Sequence, residues 1–89
     1  MTIISHGMRD KLIAGLKEVR KKKFPHMDDA RLQAYAEMKV SEMQRNFEGF
    51  TILPHEAEVL KNRFRPMFAT VGLSHELADE FVDDITAKH

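Results

Sequence analysis

The sequence has no cysteine, and only four glycines and three prolines stand among its 89 residues. Without cysteine there can be no disulfide, no thiolate zinc site and no thiol catalysis, and the composition suits a reducing compartment. The N-terminal residues form no basic leader with an apolar run, and no stretch of about 18 apolar residues exists for a membrane span. We therefore expect a cytoplasmic protein that makes no membrane contact.

The scarcity of helix-breaking residues favours a compact all-α domain of three or four helices, built from the whole of residues 1–89. Apolar residues recur at helical spacing in four segments, 8–22, 28–48, 54–71 and 75–87. Ser5 and Ser74 stand at N-cap positions, and Gly49 and Gly72 stand where the second and third helices should end. A domain this small has a thin stability margin, which dimerisation can widen.

At two places along the chain, the sequence is compatible with two alternative local structures. Pro66 falls inside the third segment, opposite its apolar stripe, which predicts a continuous helix with a kink. The alternative is two short helices separated at Arg65. The β-prone residues 50–53 are expected to form an extended linker, and the alternative is a brief pairing with residues 2–4.

The charges sum to zero but are unevenly distributed. Residues 1–24 hold seven Lys or Arg and two acids (+5), residues 25–65 hold six and seven (−1), and residues 66–89 hold one and five (−4). A basic head and an acidic tail can attract each other within one chain or between two copies. The alternative interpretation is that these charges complement helix ends and maintain solubility.

A basic cluster at the end of the first helix is the candidate contact for phosphates or for an acidic partner. Its members are Lys17, Arg20, Lys21, Lys22 and Lys23. Successive helical residues point about 100° apart, so the last four surround the helix end and do not share one face. The competing explanation is that they complement the negative end of the helix dipole.

No motif of a known catalytic or metal-binding chemistry is complete. The sequence contains no glycine-rich phosphate loop, nucleophile elbow or zincin motif. His75, Asp79 and Asp83 have a spacing that can chelate a metal, but an acidic surface helix produces this spacing by chance. Residues 67–81 faintly resemble a helix-turn-helix, yet the carboxylates of the fourth helix would repel DNA phosphates. We expect neither an enzyme nor a cofactor or metal site.

The second helix carries a second, smaller apolar strip beside its main stripe. Tyr35 and Met38 form this strip, and Arg31 and Glu42 flank it. The strip either contacts another helix of the same chain or forms an interface with a partner, since Tyr, Met and Arg are enriched at interfaces. Arg31, Tyr35, Met38 and Glu42 are therefore the candidate partner-binding residues.

These features predict a small non-enzymatic protein–protein interaction module, acting as an adaptor, an inhibitor or a regulatory subunit on another protein or as a homodimer. Small, charge-segregated helical proteins without cysteine are also typical of accessory genes in phages and other mobile elements. The alternative is a nucleic-acid-associated regulator that contacts phosphates through the basic end of the first helix.

Overall fold

Four helices make up the domain, which a computed structural model describes for residues 4–47 and 52–86. They are α1 (His6–Lys23), α2 (Asp29–Phe47), α3 (Ala57–Thr70) and α4 (His75–Ile85). A short 3-10 turn, Pro54–Glu56, leads into α3. The predicted all-α domain is confirmed, with four helices.

Serine side chains cap α1 and α4 as the sequence predicts. The Met8 amide donates to Ser5 Oγ at 3.2 Å, and the Leu77 amide donates to Ser74 Oγ at 3.1 Å. Each bond satisfies one of the amides that the first turn of a helix leaves without a partner. The predicted cap at Gly49 lies outside the described residues.

Gly72 ends α3 in a left-handed conformation, with φ of 85°. The Leu73 amide donates to the Phe68 carbonyl at 2.9 Å, and the Gly72 amide donates to the Ala69 carbonyl at 3.0 Å. These two bonds form a Schellman motif, which turns the chain from α3 into α4. A Cβ on Gly72 would also lie only 3.1 Å from Val19 Cγ1 of α1.

The helix α3 passes through Pro66 without interruption, and Pro66 is exposed. The continuous helix is therefore confirmed, and the two-helix alternative is wrong. The proline is tolerated because its ring lies on the side that faces away from the core.

The connection between α2 and α3 lies partly outside the described residues, as do residues 2 and 3 of the alternative pairing. Ile52 is buried and forms an isolated parallel bridge with Thr86, just after α4. This bridge holds the start of the α3 segment against the end of α4.

Helix packing follows the order α2, α1, α4, α3. Backbone contacts join α1 to α2, α1 to α4 and α4 to α3. Within the described chain, no Cα atom of α2 approaches a Cα atom of α3 within 8 Å. The two outer helices are thus separated by an open seam above the central α1–α4 pair.

The core is centred on Phe81 of α4, which is fully buried. Its ring centroid lies 5.8 Å from that of Phe64 and 5.6 Å from that of Phe68, both on α3. Leu12 and Leu16 of α1 belong to the same core. Aromatic pairs at such distances add to the stabilisation that burial of their area provides.

Candidate functional site

The acidic face of α4 contacts cationic side chains of the other helices. Arg65 of α3 binds Asp79 through two bonds, Nε–Oδ1 at 2.7 Å and Nη2–Oδ2 at 3.0 Å. Lys61 Nζ lies 3.0 Å from Asp83 Oδ1. The hydrogen bond from Arg65 lowers the pKa of Asp79 below its ordinary value, and the bond to Asp83 raises the pKa of Lys61.

Two further carboxylates of α4 bind the first helix. Lys11 Nζ lies 3.0 Å from Glu80 Oε2. Asp84 accepts hydrogen bonds from the Ser5 amide at 2.9 Å and from Ser5 Oγ at 2.6 Å. The acidic face therefore joins α4 to the N-terminal end and body of α1 and to α3.

The same ion pairs involve two of the three residues, His75, Asp79 and Asp83, whose spacing on α4 could chelate a metal. Asp79 and Asp83 bind Arg65 and Lys61, so both carboxylates already neutralise cations. Across residues 4–47 and 52–86, no three metal-ligating side chains come together as a group.

The basic cluster at the end of α1 is only partly paired with carboxylates of the same chain. Lys17 Nζ lies 2.9 Å from Asp29 Oδ1, and Lys22 Nζ lies 3.7 Å from Glu18 Oε1. Lys21 and Lys23 are exposed and form no ion pair with the part of the chain that the structure describes. The structure thus divides the cluster into paired and unpaired cations.

Arg20 packs against aromatic rings instead of binding a carboxylate. Its guanidinium carbon lies 4.3 Å from the ring centroid of Tyr35 and 4.6 Å from that of Phe24. Arg20 Nε is buried and has no hydrogen-bond partner among the described residues. This contact joins members of two predicted sites, the basic cluster and the strip on α2.

The seam between α2 and α3 is an open groove of about 270 Å³, which we call the α2–α3 groove. Its floor consists of apolar residues of α1, α3 and α4 and of the turn before α4, namely Leu16, Phe64, Phe68, Leu73 and Phe81. The α2 wall consists of Tyr35, Lys39, Glu42, Met43 and Asn46. Met67 and Val71 form the α3 side, and they are 55% and 47% exposed.

A second hollow of about 410 Å³ lies beside the groove. Leu16, Tyr35 and Val71 line both spaces, so the two are adjacent. Arg20 and Lys23 line the second hollow, which makes the adjacent end of the groove cationic.

Only some of the candidate partner-binding residues of α2 line the groove. Tyr35 and Glu42 line the groove, whereas Arg31 and Met38 are not among its lining residues. Met38 is 50% exposed. Tyr35 contacts α1 through Arg20 and also lines the groove.

The sequence does not identify Met67 and Val71 as candidate site residues. In the sequence they continue the apolar stripe of the third helix, which predicts a buried position. A stripe shows which side of a helix is apolar but not how far the neighbouring helix covers it.

The described helices lack the combination of length and apolar character that a membrane span requires. No protein-family model, curated protein or solved structure matches the chain.

Proposed function

We propose that this chain is a small non-enzymatic protein-binding module, and that its recognition surface is the α2–α3 groove. The open seam supports this proposal, because packed helices normally lie about 8–10 Å apart and their side chains interlock. Here α2 and α3 do not close on each other, and large apolar side chains line the gap. A partner segment would cover this surface.

The shape of the groove favours a protein segment over a small molecule. Ligand sites usually enclose about 300–1,000 Å³ and bury most of the ligand. This groove, of about 270 Å³, lies open along the protein surface beside the second hollow, so it would leave much of a small ligand exposed. An exposed apolar surface bordered by polar side chains is typical of protein interaction sites.

Such a module would act by occupying a surface of another protein, as an adaptor, an inhibitor or a regulatory subunit. We propose a cytoplasmic setting for it, and a phage or mobile-element accessory role is consistent with its size and composition. The partner can also be a second copy of the chain.

Two methionines of similar exposure, one inside the groove and one outside it, allow the proposed recognition surface to be tested by substitution. Met67 lines the groove and Met38 does not, yet their exposed fractions are similar, 55% and 50%. We expect Met67→Glu to abolish capture of the proteins that wild type retains from a nuclease-treated lysate of the source organism. Met38→Glu should leave capture unchanged, and thermal unfolding should show both variants folded. Loss of capture with Met38→Glu alone would place the interface on the outer strip of α2.

The mass of the isolated protein, measured by light scattering, separates the two kinds of protein partner. A dimer that Met67→Glu converts to a monomer would identify a second copy as the occupant. A monomer in wild type would leave the groove to another protein. A dimer that Met67→Glu does not dissociate would show that the homodimer forms elsewhere.

The second candidate function, contact with nucleic-acid phosphates, is supported by the exposed Lys21 and Lys23. Against it, Lys17 and Lys22 have carboxylate partners. A phosphate-binding surface predicts affinity for DNA or RNA that falls steeply between low and physiological salt, and that a change of Lys21, Lys22 and Lys23 to Gln removes. Binding that Met67→Glu removes and the triple change does not would favour the protein-binding function.

A further inference from the structure

We infer that the occupant of the α2–α3 groove is an amphipathic helix of a partner protein, and that a carboxylate of this helix binds the guanidinium group of Arg20. This inference rests on the proposed function and specifies the chemistry of the partner.

The α2 wall has the length and spacing that a helix requires. Tyr35, Lys39, Glu42 and Asn46 line it at intervals of four, three and four residues. At 1.5 Å per residue, they extend over about 16 Å, or three helical turns. A helix placed in such a groove would bury side chains at positions i, i+3 or i+4, and i+7.

The volume of the groove fits apolar side chains of that helix. A cavity of about 150 Å³ holds a benzene molecule. The groove, at about 270 Å³, therefore has room for about two large apolar side chains against its floor of Leu and Phe residues.

The requirement for a carboxylate comes from Arg20. The guanidinium group has five N–H donors. Arg20 Nε has no hydrogen-bond partner among the described residues, and the Arg20 side chain lines the second hollow. Packing against Tyr35 and Phe24 restrains its plane, which prepares it for a planar anion that binds edge-on. A carboxylate from outside the chain would accept from the N–H donors of the group that reach the second hollow.

The surrounding charges favour the same ligand. Lys23 lines the hollow beside Arg20, and Lys39 lines the α2 wall. Glu42, on the same wall, lies 3.6 Å from Lys39 Nζ. The end of the groove at Arg20 is therefore positive, whereas its other end is bordered by uncharged Asn46. The partner helix should carry Asp or Glu at one end of its apolar stripe.

Selection from a display library of randomised helical peptides, using the full chain as target, tests this inference without a known partner. We expect the enriched peptides to share an apolar stripe with Asp or Glu at one end. The affinity of one such fluorescent peptide is then measured by anisotropy on wild type and on variants. Arg20→Gln should weaken binding by about tenfold, the size expected for a lost hydrogen bond to a charged group. The matched control Lys21→Gln removes the same charge from the same turn and should change affinity by less than about twofold.

The outcomes separate the inference from the proposed function. Selected peptides that bind Met67→Glu as tightly as wild type would overturn both. Peptides that require Met67 but show no acidic preference, or bind Arg20→Gln as tightly as wild type, would overturn the inference alone. If Arg20→Gln does not fold, the change of the peptide's Glu to Gln serves instead, and about tenfold weaker binding to wild type is the expected result.

Discussion

The acidic face of α4 finds counterions on two other helices, whereas the basic end of α1 keeps several cations without an ion-pair partner in the described chain. Asp79, Glu80 and Asp83 bind Arg65, Lys11 and Lys61. Arg20 is covered by aromatic rings, and Lys21 and Lys23 face solvent. Charges that are paired within the fold contribute to its stability, and charges without a partner remain available for binding.

The apolar stripes of α3 and α4 differ in how completely they are buried. Ala78, Phe81, Val82 and Ile85 of α4 are all buried. On α3, Phe64 and Phe68 are buried, but Met67 and Val71 remain about half exposed. The α4 stripe is a structural element of the core, and the α3 stripe serves both the core and an open surface.

The largest expected loss of stability comes from a substitution in the core, and a substitution in the groove provides the comparison. Phe81→Ala leaves a cavity at the centre of the core and should lower the free energy of unfolding by about 3–5 kcal/mol. Met67→Ala should change it by less than about 0.5 kcal/mol, because Met67 is half exposed. Urea denaturation measures both values, and similar losses for the two variants would show that the groove is part of the core.

The turn between α3 and α4 gives the next largest effect. Gly72→Ala forces a side chain into the left-handed region and against Val19, so we expect a loss of about 1–2 kcal/mol in unfolding free energy. Gly7→Ala is the control, because a Cβ at Gly7 meets no atom within 4 Å. That change should be neutral or stabilise the protein by less than about 1 kcal/mol. Equal destabilisation by both changes would argue against the turn geometry.

The pairing of the acidic face predicts a pH dependence. Because Arg65 lowers the pKa of Asp79, its ionised form stabilises the fold above the unfolded-state value of 3.8, and this stabilisation disappears as the pH falls through the lowered pKa. Asp79→Asn should therefore reduce the melting temperature at neutral pH. The difference in melting temperature between this variant and wild type should narrow in strong acid. A difference that persists unchanged at pH 2 would show that ionised Asp79 does not stabilise the fold through Arg65.

The smallest expected effect lies at the basic end of α1. Changing Lys21 and Lys23 to Gln should lower the free energy of unfolding by no more than about 1 kcal/mol, because neither residue forms an ion pair with the described chain and only the negative end of the α1 dipole favours their charges. Thermal unfolding at low salt measures this change most sensitively, since surface charge effects are least screened there. A loss clearly above about 1 kcal/mol would mean that these lysines have a further partner within the chain.

Much of the fold can be predicted from local signals in the sequence. The caps at Ser5 and Ser74 and the turn at Gly72 each depend on a few neighbouring residues, and all three are observed. The pairing of Ile52 with Thr86 joins residues far apart in the sequence, so no local pattern indicates it.

The candidate site could be predicted only in part. Tyr35 lies off the main stripe of α2, and this position alone identifies it as a candidate, whereas its contact with Arg20 is seen only in the structure. Met67 and Val71 give no such signal, because their exposure depends on how far α2 and α3 stand apart. That separation is a tertiary property, which helical periodicity does not encode.

Backbone amide NMR spectra of the protein, recorded with and without a bound partner or selected peptide, locate the recognition surface. If this surface is the α2–α3 groove, the largest shift changes fall in residues 35–46 and 64–73, which form the two sides of the groove. Changes confined to residues 21–23, or to the outward face of α4, would contradict this location of the surface.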